Sequence, residues 1–153
     1  GSSIDEYDED GKYITSKEVP LSNKDIKSLA PFRNPINHMT VGYLKTSVLE
    51  VDGYPELFLK GDYGLWIKLL SKNKKFINLE QQLVKVTAGS RMIRDRGGLR
   101  YIYSEFLLQK YLLEFKLTNI LNASIVFILR TLIFSLPAIF RTYIYKNFLR
   151  KKK

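Results

Sequence analysis

The sequence predicts a mixed α/β fold (α+β for this chain taken alone), in which helices pack beside a few strands. Two short stretches flank the turn DEDGK, and Asp-Gly is a strong hairpin signal. From Asp62 onward, apolar residues recur at the spacing of a helix with one buried face, at Tyr63, Trp66, Ile67 and Leu70. After residue 116, uncharged runs alternate with basic residues. We therefore predict two units, residues 1–116 and residues 117–153.

The first sixty residues are predicted to alternate short elements with constrained loops. SSID and KYITSKEV are predicted strands on either side of the turn. SNKDIKSLA fits a short helix with Ser22 or Asn23 as its N-cap. In PFRNPINHM, two prolines bias the residues before them towards extended geometry, so this stretch is predicted to be non-helical. TVGYL is a predicted buried strand, and KTSVLEV is a predicted short helix closed by the turn DGYP.

The remainder of the 1–116 unit is predicted to hold two longer helices with strands between them. The first helix is the one that begins near Asp62. KKFINL and QLVKVT are predicted to form a strand pair. AGSRMIRDRGG is predicted to be a basic loop, and residues 99–116 have the apolar and polar faces of a second helix.

Residues 117–153 differ from the rest in how charge is placed. An uncharged run of 13 residues ends at Arg130, and a second uncharged run leads to the basic end RTYIYKNFLRKKK. A membrane-spanning helix needs roughly 20 apolar residues, and an arginine at mid-depth costs about 2.5–3.5 kcal/mol. We therefore expect amphipathic helices that lie on an anionic membrane surface, which interleaved aromatic and basic residues favour. A core helix followed by a solvated basic tail is the open alternative.

Charge and composition narrow the classes of partner. The net charge of +10 divides into −4 for residues 1–62 and +14 for residues 63–153. A basic region of this kind suits nucleic acid, anionic lipid or a nucleotide-linked substrate. Because no nucleic-acid-binding motif is present and the aromatic residues lie among aliphatic ones, nucleic acid is not the expected partner. The chain has no cysteine and no signal-peptide pattern at its start, so we expect a cytoplasmic setting without disulfides.

Asp62 has two compatible interpretations. An aspartate at a helix N-terminus is commonly an N-cap that accepts backbone hydrogen bonds and gains from the helix dipole. The same position keeps a carboxylate ionised, which a general base requires. His38, the chain's single histidine, follows Arg33, Asn34 and Asn37 in the rigid loop. A hydrogen-bonded structural role and contact with a ligand both remain open for it.

Two other charged segments could be binding sites or ordinary surface features. Asp8-Glu9-Asp10 has the Asp-x-Asp form of a divalent-cation motif, but it falls in a predicted hairpin turn with no buried strand before it to hold it, so we do not assign a metal site there. The basic loop carries Arg91, Arg94, Arg96 and Arg100 around two glycines. Arginines on a loop can bind a pyrophosphate leaving group and offset its negative charge. The alternative interpretation is an ordinary solvated loop that binds no ligand.

Taken in order, several segments resemble the C-terminal, acceptor-side half of bacterial family-2 glycosyltransferases with the GT-A fold. The resemblance is to enzymes that build capsular, exopolysaccharide or O-antigen chains. It covers roughly residues 1–116, and the segments that carry it are GSSIDEYDEDGK, RNPINHMTV, KTSVLEVDGYPELFLK, DYGLWIKLL, KKFINL, LVKVTAG and RGGLRYIYSEFLLQKYLL. The basic end also resembles the membrane-associating end of such enzymes, which implies a peripheral location at the cytoplasmic face of the inner membrane.

The resemblance implies inverting transfer of a sugar from a nucleotide-diphospho sugar to a saccharide or lipid-linked acceptor. It also implies a requirement for Mg²⁺ or Mn²⁺, bound by an Asp-x-Asp motif in an N-terminal half that this sequence does not contain. The chain is therefore expected to be a fragment, a split gene product or a subunit that another chain completes. Its partner would be a complementary N-terminal half, and a homo-oligomer stays open. The alternative is a non-catalytic membrane-surface or assembly module derived from such an enzyme.

The resemblance also suggests roles for individual residues. Asp62 would be the general base, next to Gly61, where the family usually has glutamate. Arg33, Asn34 and His38 match the family's Asn-Pro…His stretch and would contact donor phosphates, acceptor or, for His38, metal. Two further sets complete the predicted substrate-binding residues: Trp66, as a packing residue with an edge on the acceptor cleft, and the loop arginines Arg94 and Arg96.

Overall fold

The computed structural model describes residues 1–88 and 97–148 and confirms the mixed α/β fold. A turn of 3₁₀ helix, His38–Thr40, lies between the first and second α-helices. None of the described helices has the length and apolar character needed to cross a membrane. The elements in chain order are β1 (Ser2–Tyr7), β2 (Tyr13–Lys17), α1 (Asn23–Leu29), α2 (Lys45–Leu49), α3 (Gly61–Ser71), β3 (Leu79–Thr87), α4 (Leu99–Glu114), α5 (Ile120–Ser135) and α6 (Ala138–Phe148).

The described strands form one three-stranded sheet in the order β2-β1-β3. β1 and β2 are the predicted antiparallel hairpin. Asp8 holds its turn, because Asp8 Oδ1 accepts hydrogen bonds from the backbone N–H groups of Asp10 (3.1 Å) and Lys12 (2.8 Å). Gly11 supplies the left-handed conformation at φ +78°. The Asp-x-Asp sequence therefore lies in a turn, as expected. The expectation that no buried strand precedes it is wrong, because β1 ends directly before Asp8 and most of its residues are buried.

β3 pairs in parallel with β1, and the predicted strand pair of KKFINL with QLVKVT is wrong. The residues before β3 are held by side chains instead: the backbone N–H of Phe76 donates to Asn23 Oδ1 (2.8 Å), and Asn78 Nδ2 donates to the Pro20 carbonyl (2.7 Å). Strand pairing depends on which edges the tertiary fold brings together. Here the helices between β1 and β3 place these two strands side by side.

Both predicted short helices, α1 and α2, are present, but the predicted strand TVGYL is wrong. Ser22 is the N-cap of α1, since its side chain accepts from the N–H of Asp25 (3.2 Å). At TVGYL, the Thr40 hydroxyl donates to the Asn37 carbonyl and accepts from the N–H of Ser2, both at 2.8 Å. These bonds anchor the 3₁₀ turn, and the apolar residues after it lead outward, with Leu44 74% exposed.

α3 is the centre of the core and is buried nearly all round, rather than along the single face that the spacing predicts. Seven of its 11 residues are buried. Its residues belong to three apolar clusters: Leu65, Trp66 and Leu69 with Ile36, Val48 and Val51; Tyr63 and Ile67 with Leu108 and Leu112 of α4; and Leu70 with Ile26 and Ala30 of α1. A helix packed on several sides has a fixed position, and so does its N-terminus.

α5 packs against α4 but leaves most of its apolar side chains exposed. Ala123 and Val126 are its buried residues. On the outer side of α5 and on α6, large apolar side chains are more than half exposed, including Leu121, Ile128, Leu132, Ile139 and Phe140. Two helices are therefore present in the C-terminal unit, with large apolar side chains exposed. Their amphipathic character and their contact with a membrane stay predictions.

Candidate active site

Asp62 is the second residue of α3, and the N-cap position is occupied by Lys60, whose side chain makes no capping hydrogen bond. The N-cap interpretation of Asp62 is therefore wrong. Its carboxylate instead accepts a hydrogen bond at Oδ2 from Asn34 Nδ2, at 3.0 Å. Because the position lies in the first helical turn, the helix dipole favours its negative charge.

The loop that carries Asn34 is held on both sides of this residue. Asn34 Oδ1 accepts from the N–H of Ile36 (3.2 Å), and the N–H of Arg33 donates to the Leu29 carbonyl (2.9 Å). Asn37 is buried and its Nδ2 donates to the Ser2 carbonyl (2.9 Å), which ties the loop to β1. Asn34 therefore presents its amide to Asp62 from a loop with little freedom to move.

His38 lies at the start of the 3₁₀ turn and is exposed. Its Nε2 is 3.0 Å from the Tyr54 hydroxyl, and its ring lies 6.1 Å from the Trp66 ring, measured between centroids. Burial raises the pKa of Tyr54 from 10.0 to about 12, with further contributions from Tyr43 and from the Asp62 carboxylate. Tyr54 therefore stays protonated at neutral pH and is a neutral hydrogen-bond partner for His38.

A cavity of about 470 Å³ brings four predicted residues together: Arg33, Asn34, His38 and Asp62 all line it. Trp66 is outside its lining and is 2% exposed, packed against His38 and Phe76 in the core. Its place agrees with the packing role, and contact with substrate stays a prediction. The predicted residues Arg94 and Arg96 lie outside the described part of the chain.

Sequence reasoning missed several residues of the cavity, and half of these are basic or come from the C-terminal helices. Lys17 of β2, Lys60, Arg130 of α5 and Arg141 of α6 add positive charge to the lining. The apolar part of the lining includes Phe32, Tyr101, Ile133, Phe134 and Ile144. Helices that the sequence placed in a separate unit thus contribute directly to the wall of the site.

Arg130 joins α5 to the site through a buried carboxylate. Its Nη1 donates to Glu105 Oε2 at 2.8 Å, and Glu105 is 0% exposed. Lys60 Nζ lies 3.6 Å from the same oxygen, and Gln109 Nε2 donates to Glu105 Oε1 at 2.7 Å. Arg130 Nη2 also donates to the carbonyl of Phe32, next to Arg33. Burial is tolerable for Glu105 because two cations and an amide surround it.

This arrangement explains the arginine that interrupts the uncharged run. The sequence contains an indication of this ion pair, since Glu105 shares a helical face with the apolar residues Leu108 and Leu112 of α4. An acidic residue on a buried face requires a partner, and Arg130 is an isolated cation in an apolar segment. Neither residue alone identifies the other, because the packing of α4 on α5 creates the pair.

Metal-ligating groups are sparse in this part of the protein. Across residues 1–88 and 97–148, no three His, Asp or Glu side chains converge closely enough to hold an ion. Asp62 and His38 line the same cavity. Asp62 accepts a hydrogen bond from the Asn34 amide, and His38 lies within hydrogen-bond distance of the Tyr54 hydroxyl. A metal contact of His38 stays a prediction.

Comparisons with known proteins find relatives that share one class of activity. The chain is 36% identical over 147 residues to the amylovoran biosynthesis glycosyltransferase AmsE of Erwinia amylovora, covering 96% of this chain and 55% of that protein. It is 33% identical to the UDP-Gal:alpha-D-GlcNAc-diphosphoundecaprenol beta-1,3-galactosyltransferase of Escherichia coli, covering 88% of this chain and 49% of that protein. It is 27% identical to the O-antigen biosynthesis glycosyltransferase WbnJ of Escherichia coli, covering 80% and 48%.

The chain thus spans about half the length of the curated relatives that it matches. No protein-family profile and no solved structure matches it.

Proposed function

Because this chain belongs with the bacterial glycosyltransferases of polysaccharide and O-antigen biosynthesis, we propose that it forms the acceptor-side half of an inverting enzyme of this kind. The reaction is transfer of a sugar from a nucleotide-diphospho sugar to a saccharide or lipid-linked acceptor. The observation that supports this most is the Asp62 carboxylate, oriented by Asn34 at the N-terminus of a fixed helix and facing a basic cavity.

In this proposal Asp62 is the general base. Its carboxylate takes the proton of an acceptor hydroxyl, whose oxygen attacks the anomeric carbon from the side opposite the leaving group. The bond between that carbon and the donor's phosphate oxygen breaks, and the nucleoside diphosphate leaves with the electron pair. The Asn34 hydrogen bond uses one lone pair of Oδ2, and a carboxylate can accept several hydrogen bonds, so the acceptor hydroxyl can bind as well.

The remaining half of the enzyme would supply the nucleotide-binding unit and the Asp-x-Asp motif. A divalent cation, Mg²⁺ or Mn²⁺, would neutralise the diphosphate of the donor when that motif binds it. The described residues of this chain lack a comparable ligand set. What they provide are basic side chains of the cavity, among them Arg33 and Lys60, which suit the phosphates of a bound substrate.

Gly61 marks a departure from the resemblance, because the family usually has glutamate there. The structure leaves room for a side chain, since the nearest atom to an added Cβ is the Pro55 carbonyl oxygen at 3.6 Å. A carboxylate at this position would lie beside Asp62 in the same helical turn. We expect Gly61→Glu to be tolerated and to increase transfer if the missing carboxylate orients the acceptor.

The test is a chimera that joins this chain to the remaining half of the Escherichia coli galactosyltransferase relative. We expect metal-dependent transfer from a nucleotide sugar to a diphosphate-linked lipid acceptor. Asp62→Asn should lower kcat by about 10²–10⁴-fold, the usual worth of a general base, with acceptor binding retained. Asp52→Asn is the matched control, because Asp52 is an exposed aspartate outside the cavity.

Full activity of the Asp62→Asn chimera would refute the general-base assignment. Equal losses in the Asp62 and Asp52 variants would show a folding defect instead of lost chemistry.

A second candidate function is a non-catalytic membrane-surface or assembly module, which Gly61 and the exposed apolar faces of α5 and α6 favour. Both candidates place the chain peripherally on an anionic membrane, at the cytoplasmic face of the inner membrane. In flotation with phosphatidylglycerol vesicles, binding should fall between about 0.1 M and 1 M salt, where the Debye length drops from about 10 Å to 3 Å. If the chain binds vesicles but no chimera transfers a sugar, the non-catalytic module is the better supported of the two functions.

A further inference from the structure

The hydrogen bond that orients Asp62 joins two different parts of the fold. Asp62 belongs to α3, whereas Asn34 belongs to the loop after α1. The bond is 3.0 Å long between Asn34 Nδ2 and Asp62 Oδ2, and a hydrogen bond of this length is lost when its two groups separate by less than about 1 Å. The position of α3 relative to this loop therefore matters as much as the identity of the two residues.

Glu105 of α4 holds the segment that leads into Asp62. Lys60 is the N-cap of α3, two residues before Asp62, and its Nζ lies 3.6 Å from Glu105 Oε2. The same Nζ lies 4.8 Å from the centroid of the Tyr101 ring, which is also on α4. Leu59, directly before Lys60, has a φ of +59°, a left-handed conformation that leucine rarely adopts. Such a backbone persists where the contacts around it fix it, and the Lys60 side chain provides contacts of this kind.

The same oxygen of Glu105 also connects to the loop that carries Asn34. Arg130 Nη1 donates to Glu105 Oε2 at 2.8 Å, and Arg130 Nη2 donates to the Phe32 carbonyl. The guanidinium is planar and rigid, so a bond from Nη1 to Glu105 also fixes the direction in which Nη2 meets the carbonyl. Because Phe32 lies two residues before Asn34, this contact fixes the loop relative to α4.

These contacts form a closed chain that includes the hydrogen bond to Asp62. Its members, in order, are Asp62, Asn34, Phe32, Arg130, Glu105 and Lys60. Glu105 is 0% exposed and is not among the residues that line the cavity, so it does not contact a ligand bound there. An apolar side chain of similar volume is often tolerated as well as, or better than, a buried ion pair. Packing alone therefore does not account for a carboxylate at this position.

We propose that Glu105 is a positioning residue for sugar transfer, which holds α3 and the loop of residues 32–34 at the separation that the hydrogen bond to Asp62 requires. It acts through Lys60 on one side and through Arg130 on the other. The inference rests on the proposed function, and it deepens it by assigning a residue that acts on the general base without touching a substrate. Since Arg130 belongs to α5, the C-terminal unit also takes part in orienting the base.

The intact chain tests this geometry without a transferase assay. NMR would follow the side-chain amide protons of Asn34, whose chemical shifts and exchange with water report the hydrogen bond to Asp62. Asp62→Ala provides the reference for a lost bond. Glu105→Leu should move the Asn34 signals most of the way to this reference, because it removes both contacts. Glu114→Leu, at an exposed glutamate of the same helix and outside the lining, should leave them in place.

A second variant covers the case in which circular dichroism shows that Glu105→Leu does not fold. Glu105→Gln keeps the shape of the side chain and removes its charge. Among the described residues, Gln109 Oε1 is a buried atom without a hydrogen-bond partner, so it can accept from the new amide. Glu105→Gln should therefore fold and should move the Asn34 signals in the same direction by a smaller amount.

Activity of the chimera separates positioning from stability. Glu105→Leu should lower kcat about 10–100-fold and change KM by less than about threefold, because a misplacement of about 1 Å is enough for such a loss. Adding Arg130→Met should recover part of the stability, since no buried carboxylate remains for it to compensate, but should not recover kcat. Glu114→Leu should retain the kcat of the unmodified chimera.

Two results would overturn the inference. If the Asn34 signals stay in place in both Glu105 variants, the packing of α3 fixes the hydrogen bond without Glu105. If kcat recovers together with stability in the double variant, the role of Glu105 is purely structural. Full activity of the Asp62→Asn chimera would instead refute the proposed function, and the NMR signals would still show whether Glu105 holds the Asn34–Asp62 hydrogen bond. The two failures are therefore distinguishable.

Discussion

α5 is richer in apolar residues than α3, yet α3 buries most of its residues and α5 leaves most of its residues unburied. α3 buries seven of its 11 residues in three clusters, whereas α5 buries two of its 16, Ala123 and Val126. The rest of the apolar side chains of α5 lie at or near the surface. Apolar composition therefore does not identify a core helix. What separates the two helices is the number of neighbouring elements that pack around each.

The comparison also shows how a peripheral helix can influence a site. α3 supplies Asp62 directly, and its position is fixed by packing on several sides. α5 reaches the same cavity through Arg130, which bonds to buried Glu105 and to the Phe32 carbonyl. The site thus depends on core packing for its carboxylate and on a polar contact for its C-terminal wall.

The largest expected effect tests whether the two helices differ as described. Leu65→Ala in α3, at a residue that is 0% exposed, should lower the free energy of unfolding by about 2–5 kcal/mol. Leu132→Ala in α5, at a residue that is 62% exposed, should change it by less than about 0.5 kcal/mol. Urea denaturation measures both. A comparable loss in the two variants would mean that the outer face of α5 is packed against another surface.

The next effect concerns the polar connection. Arg130→Met should lower stability by about 1.5–3 kcal/mol, because Glu105 keeps Lys60 and Gln109 but loses its closest cation. The double variant Arg130→Met/Glu105→Leu should recover part of this loss, since the buried charge is then gone. Arg100→Met, which removes an exposed guanidinium lying 5.5 Å from the Phe58 ring, is the control and should cost less. If the double variant recovers none of the lost stability, the result argues against a stabilising ion pair between Arg130 and Glu105.

A smaller effect distinguishes two glycines of α3. A Cβ at Gly64 would lie 2.5 Å from Pro55 Cγ, so Gly64→Ala should cost about 1–3 kcal/mol through overpacking. At Gly61 the nearest atom is 3.6 Å away, and alanine is the better helix former, so Gly61→Ala should be neutral or slightly stabilising. Thermal denaturation would check the pair. Destabilisation by Gly61→Ala would show that the N-terminus of α3 is tighter than its contacts indicate.

The smallest effect is electrostatic and lies at the site itself. Since the folded pKa of Tyr54, about 12, is above its ordinary value of 10.0, its contribution to stability is present below pH 10 and is lost as the pH rises through 12. When the ionisation of the tyrosines is followed by absorbance, Tyr54→Phe should remove one ionisation at high pH. Asp62→Asn should lower the pKa of Tyr54, because the carboxylate raises it, and Asp52→Asn should not. An unchanged titration in the Asp62 variant would place the carboxylate farther from Tyr54.

The sequence by itself determined the local elements whose signals lie within a few residues. The Asp-Gly turn, the helix beginning near Asp62, α4 and the rigid proline-bearing loop were all predictable, because capping, helical periodicity and proline restriction act over short distances. The same patterns pointed to Asp62 and His38, and the resemblance to bacterial glycosyltransferases added Arg33 and Asn34. All four residues line one cavity.

Only the tertiary structure decided the parallel pairing of β1 with β3, the burial of α3 on several sides and the contact between Arg130 and Glu105. Each depends on elements far apart in the chain, so no local pattern specifies it. The strand predicted at TVGYL failed for the same reason, because apolar residues become a strand only beside a free sheet edge. The C-terminal wall of the cavity is likewise a result of packing, since α5 reaches the site by folding against α4.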